Sequence, residues 1–431
     1  MNINNPNESN FYPKKLTANE LYYLGIPEDN FKTVNTLDDL KKNPPNIIIA
    51  ECVNVSHGKN KQKKTFKEVK YSQNKFTQQS LIRKHIYVMG AGIYMQLHYD
   101  MRSNTEILKP ASIQFKKLYK QYNGEDLSDK TLLVFRQGGI GDLLFIQPNL
   151  IYLKQKYPSC TIKFACGPQY QSMVKEWDCV DKVLELPFEA SELITGSDYQ
   201  CVFEGVIERC KEAENICSYN LFTKWMGLNL EDNLLIPNQK PNEESIIKNR
   251  KILEELNINE KDYIVIQMRA SSPIRTPNPE IWKKLINILT SKGHNILITD
   301  SPHYSKDIDN FILKLENKDK VKNFCKFSNT ISDTISIVSM SKLTIATDSA
   351  LNHIAESLSI KSFSIMGPFP GRVRFSTYKN NDYIDVTREN CSPCFIHGSQ
   401  PCKNSFNGYS ACYNNLDYDL CVEKIERLLN V

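Results

Sequence analysis

Thr131-Leu132-Leu133-Val134-Phe135-Arg136-Gln137-Gly138-Gly139-Ile140-Gly141-Asp142 is the stretch on which the fold class turns. Its first five residues form an apolar run of the kind buried on both faces of a parallel sheet. The glycines that follow make a tight turn that other residues make with difficulty. Residues 142–157 then carry helical spacing, Pro158 stops the helix, and residues 161–165 open another strand. Strand, glycine turn, helix and strand in this order read as a right-handed βαβ unit on a parallel sheet. Residues 199–203 supply a later strand of that sheet.

Residues 237–245, with Pro237 and Pro241 among Asn and Glu, read as a linker. Beyond them strands are predicted over residues 263–267, 295–299, 343–346 and 362–366. Helices over residues 279–291, 306–315, 331–341 and 351–358 alternate with them, and a last helix covers residues 418–429. Two such series predict an α/β protein with two Rossmann-like domains facing a cleft, one over residues 127–240 and one over residues 241–431, behind an N-terminal extension over residues 1–126. The 431 residues of the chain are about three times the ~150 usual for one domain.

The extension reads less clearly. A helix is predicted over residues 18–24, a strand over 46–50, strand character over 84–99 and a helix over 112–122, with no chemistry-bearing spacing among them. Residues 1–130 hold 20 Lys and Arg against 13 Asp and Glu, whereas the remainder holds 34 against 36. The basic excess therefore belongs to the extension. Its densest run, Lys59-Asn60-Lys61-Gln62-Lys63-Lys64, reads first as a solvated loop and second as a peripheral contact for an anionic membrane face or a phosphate-rich acceptor. A nucleic-acid partner is not expected. The chain is 41% hydrophobic and 24% charged, which excludes disordered and collagenous classes. It has neither an apolar run of spanning length nor the basic and apolar start of a signal peptide, so the cytoplasm is the expected compartment. Its 13 cysteines are then expected as buried thiols or metal ligands, with Cys160, Cys166, Cys179, Cys201, Cys210 and Cys217 in the core.

Three constellations carry chemistry. Arg136, Gly138, Gly139 and Gly141 form a strand-to-helix turn whose backbone can pass close to a phosphate or an acceptor, ahead of a positive helix N-terminus. Asp142 at that helix start is either an N-cap or a carboxylate offered to a ligand. Ala346-Thr347-Asp348-Ser349-Ala350-Leu351-Asn352-His353 is a second strand-to-helix passage, either a capped helix with a packed histidine or a diphosphate and ribose site. Cys391-x2-Cys394-x7-Cys402-x9-Cys412 encloses four thiols in 22 residues, as a tetrahedral sulfur site or as unpaired cysteines on a flap. Asp307-x-Asp309 and Asp417-x-Asp419 lie in predicted helices and read as solvated faces.

Taken together, the first two motifs resemble glycosyltransferase family 9, the ADP-heptose:lipopolysaccharide heptosyltransferases, over roughly residues 132–429. The resemblance implies the GT-B fold and inverting transfer of a sugar, heptose first, from a nucleotide diphosphate donor such as ADP-heptose to a hydroxyl of a glycan or glycolipid. It makes Asp142 the catalytic base and places Asp348, Ser349, Ala350 and His353 on the donor. Within Met268-Arg269-Ala270-Ser271-Ser272-Pro273-Ile274-Arg275 it makes Ser271 and Ser272 diphosphate ligands and Arg275 the cation, with Arg269 second. No catalytic metal is implied. Related protein heptosyltransferases carry a similar four-cysteine finger with iron, so a structural Zn or Fe at Cys391, Cys394, Cys402 and Cys412 is expected, and a protein acceptor is the alternative. Ala350 stands where the family has glycine, and Asp300-Ser301-Pro302-His303-Tyr304 lacks the glycine and following acidic residue associated with the ribose. Both departures leave open a sugar-nucleotide-binding scaffold without activity.

Overall fold

The computed structural model describes residues 86–90, 93–100, 105–111, 121–185, 188–189, 192, 196–203, 206–386, 391–396, 402–406 and 408–430. The elements expected over residues 18–24 and 46–50, the basic run 59–64 and most of the helix expected over 112–122 lie outside the described residues. Within the extension, the strand character of residues 84–99 is realised as β1 (Ile86–Gly90) and β2 (Ile93–Asp100), followed by β3 (Thr105–Ala111).

β4 (Thr131–Phe135), β5 (Thr161–Cys166), β6 (Lys182–Glu185), the two-residue β7 (Phe188–Glu189) and β8 (Tyr199–Val202) come next. Four of them form an all-parallel sheet of order β6-β5-β4-β8. β7 pairs instead with β1, giving an antiparallel sheet of order β3-β2-β1-β7. The extension therefore shares a sheet with the segment after β6. A second parallel sheet holds β9 (Tyr263–Gln267), β10 (Asn295–Ile298), β11 (Val321–Asn323), β12 (Leu343–Thr347), β13 (Ser362–Met366) and β14 (Asn381–Asp385) in the order β11-β10-β9-β12-β13-β14. Counted from its own first strand this is the 3-2-1-4-5-6 order of doubly wound dinucleotide folds, whose ligands bind outside the strand C-termini where the order reverses. In this chain that point lies at the ends of β9 and β12, and in the first sheet at the end of β4.

The helices that frame these points are α1 (Ile140–Lys156), α2 (Ser218–Trp225), α3 (Glu243–Glu255), α4 (Pro279–Ser291), α5 (Ser305–Ile312), α6 (Ile331–Ser339), α7 (Ala350–Ser357), the single turn α8 (Arg372–Phe375) and α9 (Tyr418–Asn430). Among the described residues no helix is long and apolar enough to cross a membrane. Strand alternation splits the second sheet between two cores. Tyr263 and Val265 join a cluster that also contains Leu132, Leu144, Phe222, Leu351 and Ile354, whereas Ile264 and Ile266 face Trp282, Leu285, Cys421 and Ile425 on the other side. The first of these clusters is common to both sheets, so one apolar interior fuses the two halves.

The stretch expected as a linker is pinned to both halves. Trp177 Nε1 donates to Gln239 Oε1 at 2.7 Å, and the Gln239 amide donates to the Ser357 carbonyl at 3.0 Å. Residues 243–245 already belong to α3, which Asn242 caps by accepting from the Ser245 amide at 3.1 Å. Asn followed by two glutamates is a helix start as well as a polar linker composition, which is why composition misled here.

α1 and α7 meet at Gly141. A Cβ built there would lie 2.7 Å from Cδ2 and 3.0 Å from Nε2 of His353. Gly141→Ala should therefore destabilise the protein by about 1–3 kcal/mol, the usual range for overpacking, read as a lowered urea midpoint at unchanged m-value. Unchanged stability would contradict the close approach of α1 and α7.

Candidate active site in the cleft between the two sheets

The C-terminal ends of β4, β9, β10 and β12 open on one cavity of about 1100 Å³. Arg136, Gly138, Gly139, Gly141 and Asp142 line it from the first half. Ser271, Ser272, Arg275, Asp348, Ser349, Ala350 and His353 line it from the second. Every residue singled out from the sequence for donor or acceptor thus reaches the same space.

Asp142 does not cap its helix. The cap position of α1 falls on Gly139, at φ 89°, and no side chain caps the helix. A Cβ at Gly139 would collide with the Asp142 carboxylate, so both the backbone angle and the space demand glycine. Asp142 instead sits in the first turn and accepts from Arg136 Nη2 at 2.6 Å. Arg136 is held in place by its own bonds, Nε to the Gly138 carbonyl and Nη1 to the Phe203 carbonyl, both at 3.0 Å. The three glycines of the turn make room for protein groups: Gly138 for the Tyr170 ring, Gly139 for Asp142 and Gly141 for His353.

On the opposite wall Asp348 is locked. Arg275 Nη1 donates to its carbonyl at 3.1 Å and to Oδ2 at 3.3 Å, and Arg374 Nε lies 3.6 Å from Oδ1. Burial alone would raise the Asp348 carboxyl, but Arg275 and Arg374, helped by His353, outweigh it and hold the group below its usual range. The side chain of Asp142 keeps 20% exposure while that of Asp348 keeps 2%. Only the first can meet an incoming hydroxyl.

Arg275 is braced from behind. Its carbonyl accepts from Thr347 Oγ1 at 2.7 Å and from the Tyr413 hydroxyl at 3.1 Å, and its Nη2 donates to Ser271 Oγ at 2.9 Å. Ser272 is buried and its carbonyl accepts from Thr276 Oγ1 at 3.2 Å. Ser349 donates to Gln267 Oε1 at 2.8 Å, and α7 begins without a side-chain cap, which leaves its first amides for an anion. His353, 4% exposed, is lowered to about 4, mainly by burial and further by Arg374, against the opposing pull of Asp348 and Asp142. It is neutral at neutral pH.

Three further cavity residues were given no site role from the sequence. Arg374 is buried, lies 4.5 Å over the Phe369 ring and donates from Nη1 to Ser218 Oγ at 2.8 Å. It follows the end of β13, and the rule that ligands gather at strand C-termini was its available signal. Tyr304 carries the Arg269 guanidinium 3.9 Å over its ring. Asp300, at the end of β10, has a buried Oδ2 without a hydrogen-bond partner, and burial raises its carboxyl. Asp300 is the carboxylate that the end of β10 brings to the cavity. Four guanidiniums face three carboxylates in the cavity, which favours a polyanionic ligand.

The paired-aspartate motifs serve the fold. Asp307 pairs with Arg269 at 3.4 Å, Asp309 accepts from Asn323 Nδ2 at 2.8 Å, and Asp417 accepts from the Leu420 amide at 3.0 Å. Cys160, Cys166, Cys179, Cys201 and Cys217 are buried as expected, and Cys210 is half-buried. Cys391, Cys394, Cys402 and Cys412 line one small cavity beside Ile274 and Pro368. Burial pushes the Cys412 thiol up to about 12, with the neighbouring thiols adding to it. Among the described residues, however, no group of three or more His, Cys, Asp or Glu is placed to hold one ion. The four-cysteine finger goes as far as a shared cavity, braced to the site through β15 (Ser405–Phe406), β16 (Tyr409–Ser410) and the 2.6 Å bond from Ser410 Oγ to the Ile274 carbonyl.

Residues 219–403 match the family model of glycosyltransferase family 9 (heptosyltransferase). The match spans less than half of the chain and makes it similar to the family 9 glycosyltransferases. Among solved structures it is similar to a family 9 glycosyl transferase from Veillonella parvula, at 12% identity and TM-score 0.55, covering 71% of this chain and 98% of that one. ADP-heptose lps heptosyltransferase II of E. coli gives 12% and 0.55, over 70% and 98%. The iron-containing dodecameric glycosyltransferase TibC of enterotoxigenic E. coli gives 13% and 0.51, over 79% and 94%. These likenesses show the GT-B fold. A search of curated protein sequences finds no match.

Neutral His353 has a pH signature. Its midpoint is near 4 folded against 6.5 as a free side chain, so the unfolded chain binds more protons between those values. The stability tied to His353 is complete above pH 6.5 and falls by about 3 kcal/mol as pH drops to 4. His353→Gln should remove that part of the slope in unfolding free energy over this window. An identical slope in variant and wild type would show that His353 is not buried as a neutral ring.

Proposed function

We propose that the cleft transfers a sugar, heptose first, from a nucleoside diphosphate to an acceptor hydroxyl with inversion. The observation that carries this reading is the meeting of Asp142 with the Arg275, Asp348 and His353 wall across a single positively charged cavity. Asp142 accepts the proton of the attacking hydroxyl, as its partial exposure allows. Arg275 and the uncapped amides of α7 hold the diphosphate and offset the charge that grows on it as the glycosidic bond breaks. The Asp300 carboxylate at the cavity wall accepts from a ribose hydroxyl. This carboxylate and the intact cation wall speak for activity and against a silent scaffold.

ADP-heptose is the favoured donor, since the relatives include an ADP-heptose enzyme, and the acceptor is a hydroxyl of a glycan or glycolipid. A second reading, transfer to a protein hydroxyl, rests on the resemblance of the four-cysteine spacing to that of related protein heptosyltransferases. The four cysteines, gathered at one cavity, would hold a structural Zn or Fe through sulfur, to which no step of transfer is assigned. One equivalent of either metal by elemental analysis, lost in a Cys391→Ser and Cys394→Ser double variant, is expected. Metal-free protein with full activity would remove this part of the proposal.

Incubation with ADP-heptose and candidate acceptors, followed by product mass, tests the reaction, and a mass shift on protein or on glycolipid separates the two readings. Asp142→Asn should lower kcat by roughly 10²–10⁴, the usual contribution of a general base, while ADP binding by calorimetry stays within about twofold. Retained turnover in this variant would remove the assigned base.

A further inference from the structure

Tyr219, Tyr378 and His353 form a chain of two hydrogen bonds buried between the two halves, and the proposed transfer leaves both tyrosines without a role. Tyr219 projects from α2, and its hydroxyl lies 2.9 Å from that of Tyr378. The Tyr378 hydroxyl lies 2.5 Å from His353 Nδ1. Burial pushes both phenols far above their ordinary range, so both keep their protons. Among the described residues these are the only hydrogen bonds made by the three side chains.

Counting hydrogens decides the tautomer. Two bonds need two hydrogens, and with Nδ1 bare the two phenols supply them: Tyr219 donates to Tyr378, and Tyr378 donates to Nδ1. A hydrogen on Nδ1, in the other neutral tautomer or in the imidazolium, brings three hydrogens to two bonds. One buried donor is then left without a partner, at the full cost of its desolvation. We infer that Tyr378, oriented by Tyr219 from the opposite half, is a positioning residue that fixes His353 as the Nε2–H tautomer, so that the ring presents an N–H donor to the cleft. The Nε2 edge lies against the first turn of α1 at Gly141, and the ring is part of the cavity wall. Phe145 packs edge-on against the ring at a centroid distance of 4.8 Å, which holds its plane. The donated hydrogen bond goes to an oxygen of the diphosphate; this use rests on the proposed function, whereas the tautomer does not.

Imidazole nitrogen NMR on the full chain without ligand, with the His353 signal assigned by its loss in His353→Gln, reads the tautomer directly. Wild type should show a bare Nδ1 and a protonated Nε2 at neutral pH. Tyr378→Phe should populate both tautomers and raise the His353 titration midpoint by about one unit, because a bond donated to the neutral ring is lost. Tyr219→Phe should keep the Nε2–H form, since the Tyr378 hydrogen still serves Nδ1. A proton on Nδ1 in wild type overturns the inference, and so does a Tyr378→Phe variant with unchanged tautomer and midpoint. Should that variant not fold, the wild-type spectrum alone decides.

In transfer assays Tyr378→Phe should lower kcat about two- to tenfold, following the lost Nε2–H population, with the donor KM within about twofold. In a His353→Gln background, where an amide N–H needs no tautomer, the same change should have no further effect. Equal losses in both backgrounds overturn the positioning role. The expected spectra in a chain with no affinity for any nucleotide sugar would remove the proposed function and leave the tautomer assignment standing.

Discussion

The cleft depends on a steric constraint, the contact of the first turn of α1 with the His353 ring on α7 at a residue without a side chain. Gly141 leaves the space that the imidazole edge occupies, and the two helices close on each other there. One turn of helix then carries Asp142 into the cavity, and the other carries the Asp348 passage. The apolar cluster common to both sheets holds the two halves at this separation. Asp142 and the Arg275 wall face each other across the cavity as a result.

Electrostatics divides the labour between two aspartates that look alike in sequence. Each follows a buried strand and stands near a helix start. Asp348 is enclosed by two guanidiniums and is nearly inaccessible, so its charge is spent on fixing Arg275 and Arg374. Asp142 has one guanidinium and a partly open carboxylate. The first arrangement fits a positioning group, the second a base. Burial acts on His353 in the opposite sense to its effect on the acids, removing the charge and leaving a neutral ring whose hydrogen placement is settled by its partners.

Much of this was legible in the residues. Apolar runs and glycine turns located β4, β5, β9, β10, β12 and β13, because fully buried parallel strands are continuous in hydrophobicity. The short β6, the three-residue β11 and the polar β14, Asn381-Asp382-Tyr383-Ile384-Asp385, were missed, since their positions in the sheet come from tertiary pairing that local pattern does not encode. The cavity residues found in advance were those in contiguous motifs. Arg374 and the tyrosine pair were not, because each gains its meaning from partners 25 to 159 positions away, as in the bond from Tyr219 to Tyr378. The glycines at 138, 139 and 141 line the cavity, and the sequence did not show which protein groups stand against them. Their space is taken by Tyr170, Asp142 and His353.

The central claim is that one cavity places a sugar nucleotide between Asp142 and the Arg275 wall. A crystal structure of the protein with a non-transferable ADP-sugar tests it most directly. The account predicts the diphosphate within hydrogen-bond reach of Arg275 and the first amides of α7, with the anomeric carbon turned toward Asp142. A nucleotide bound elsewhere, or a sugar pointing away from Asp142, would contradict it.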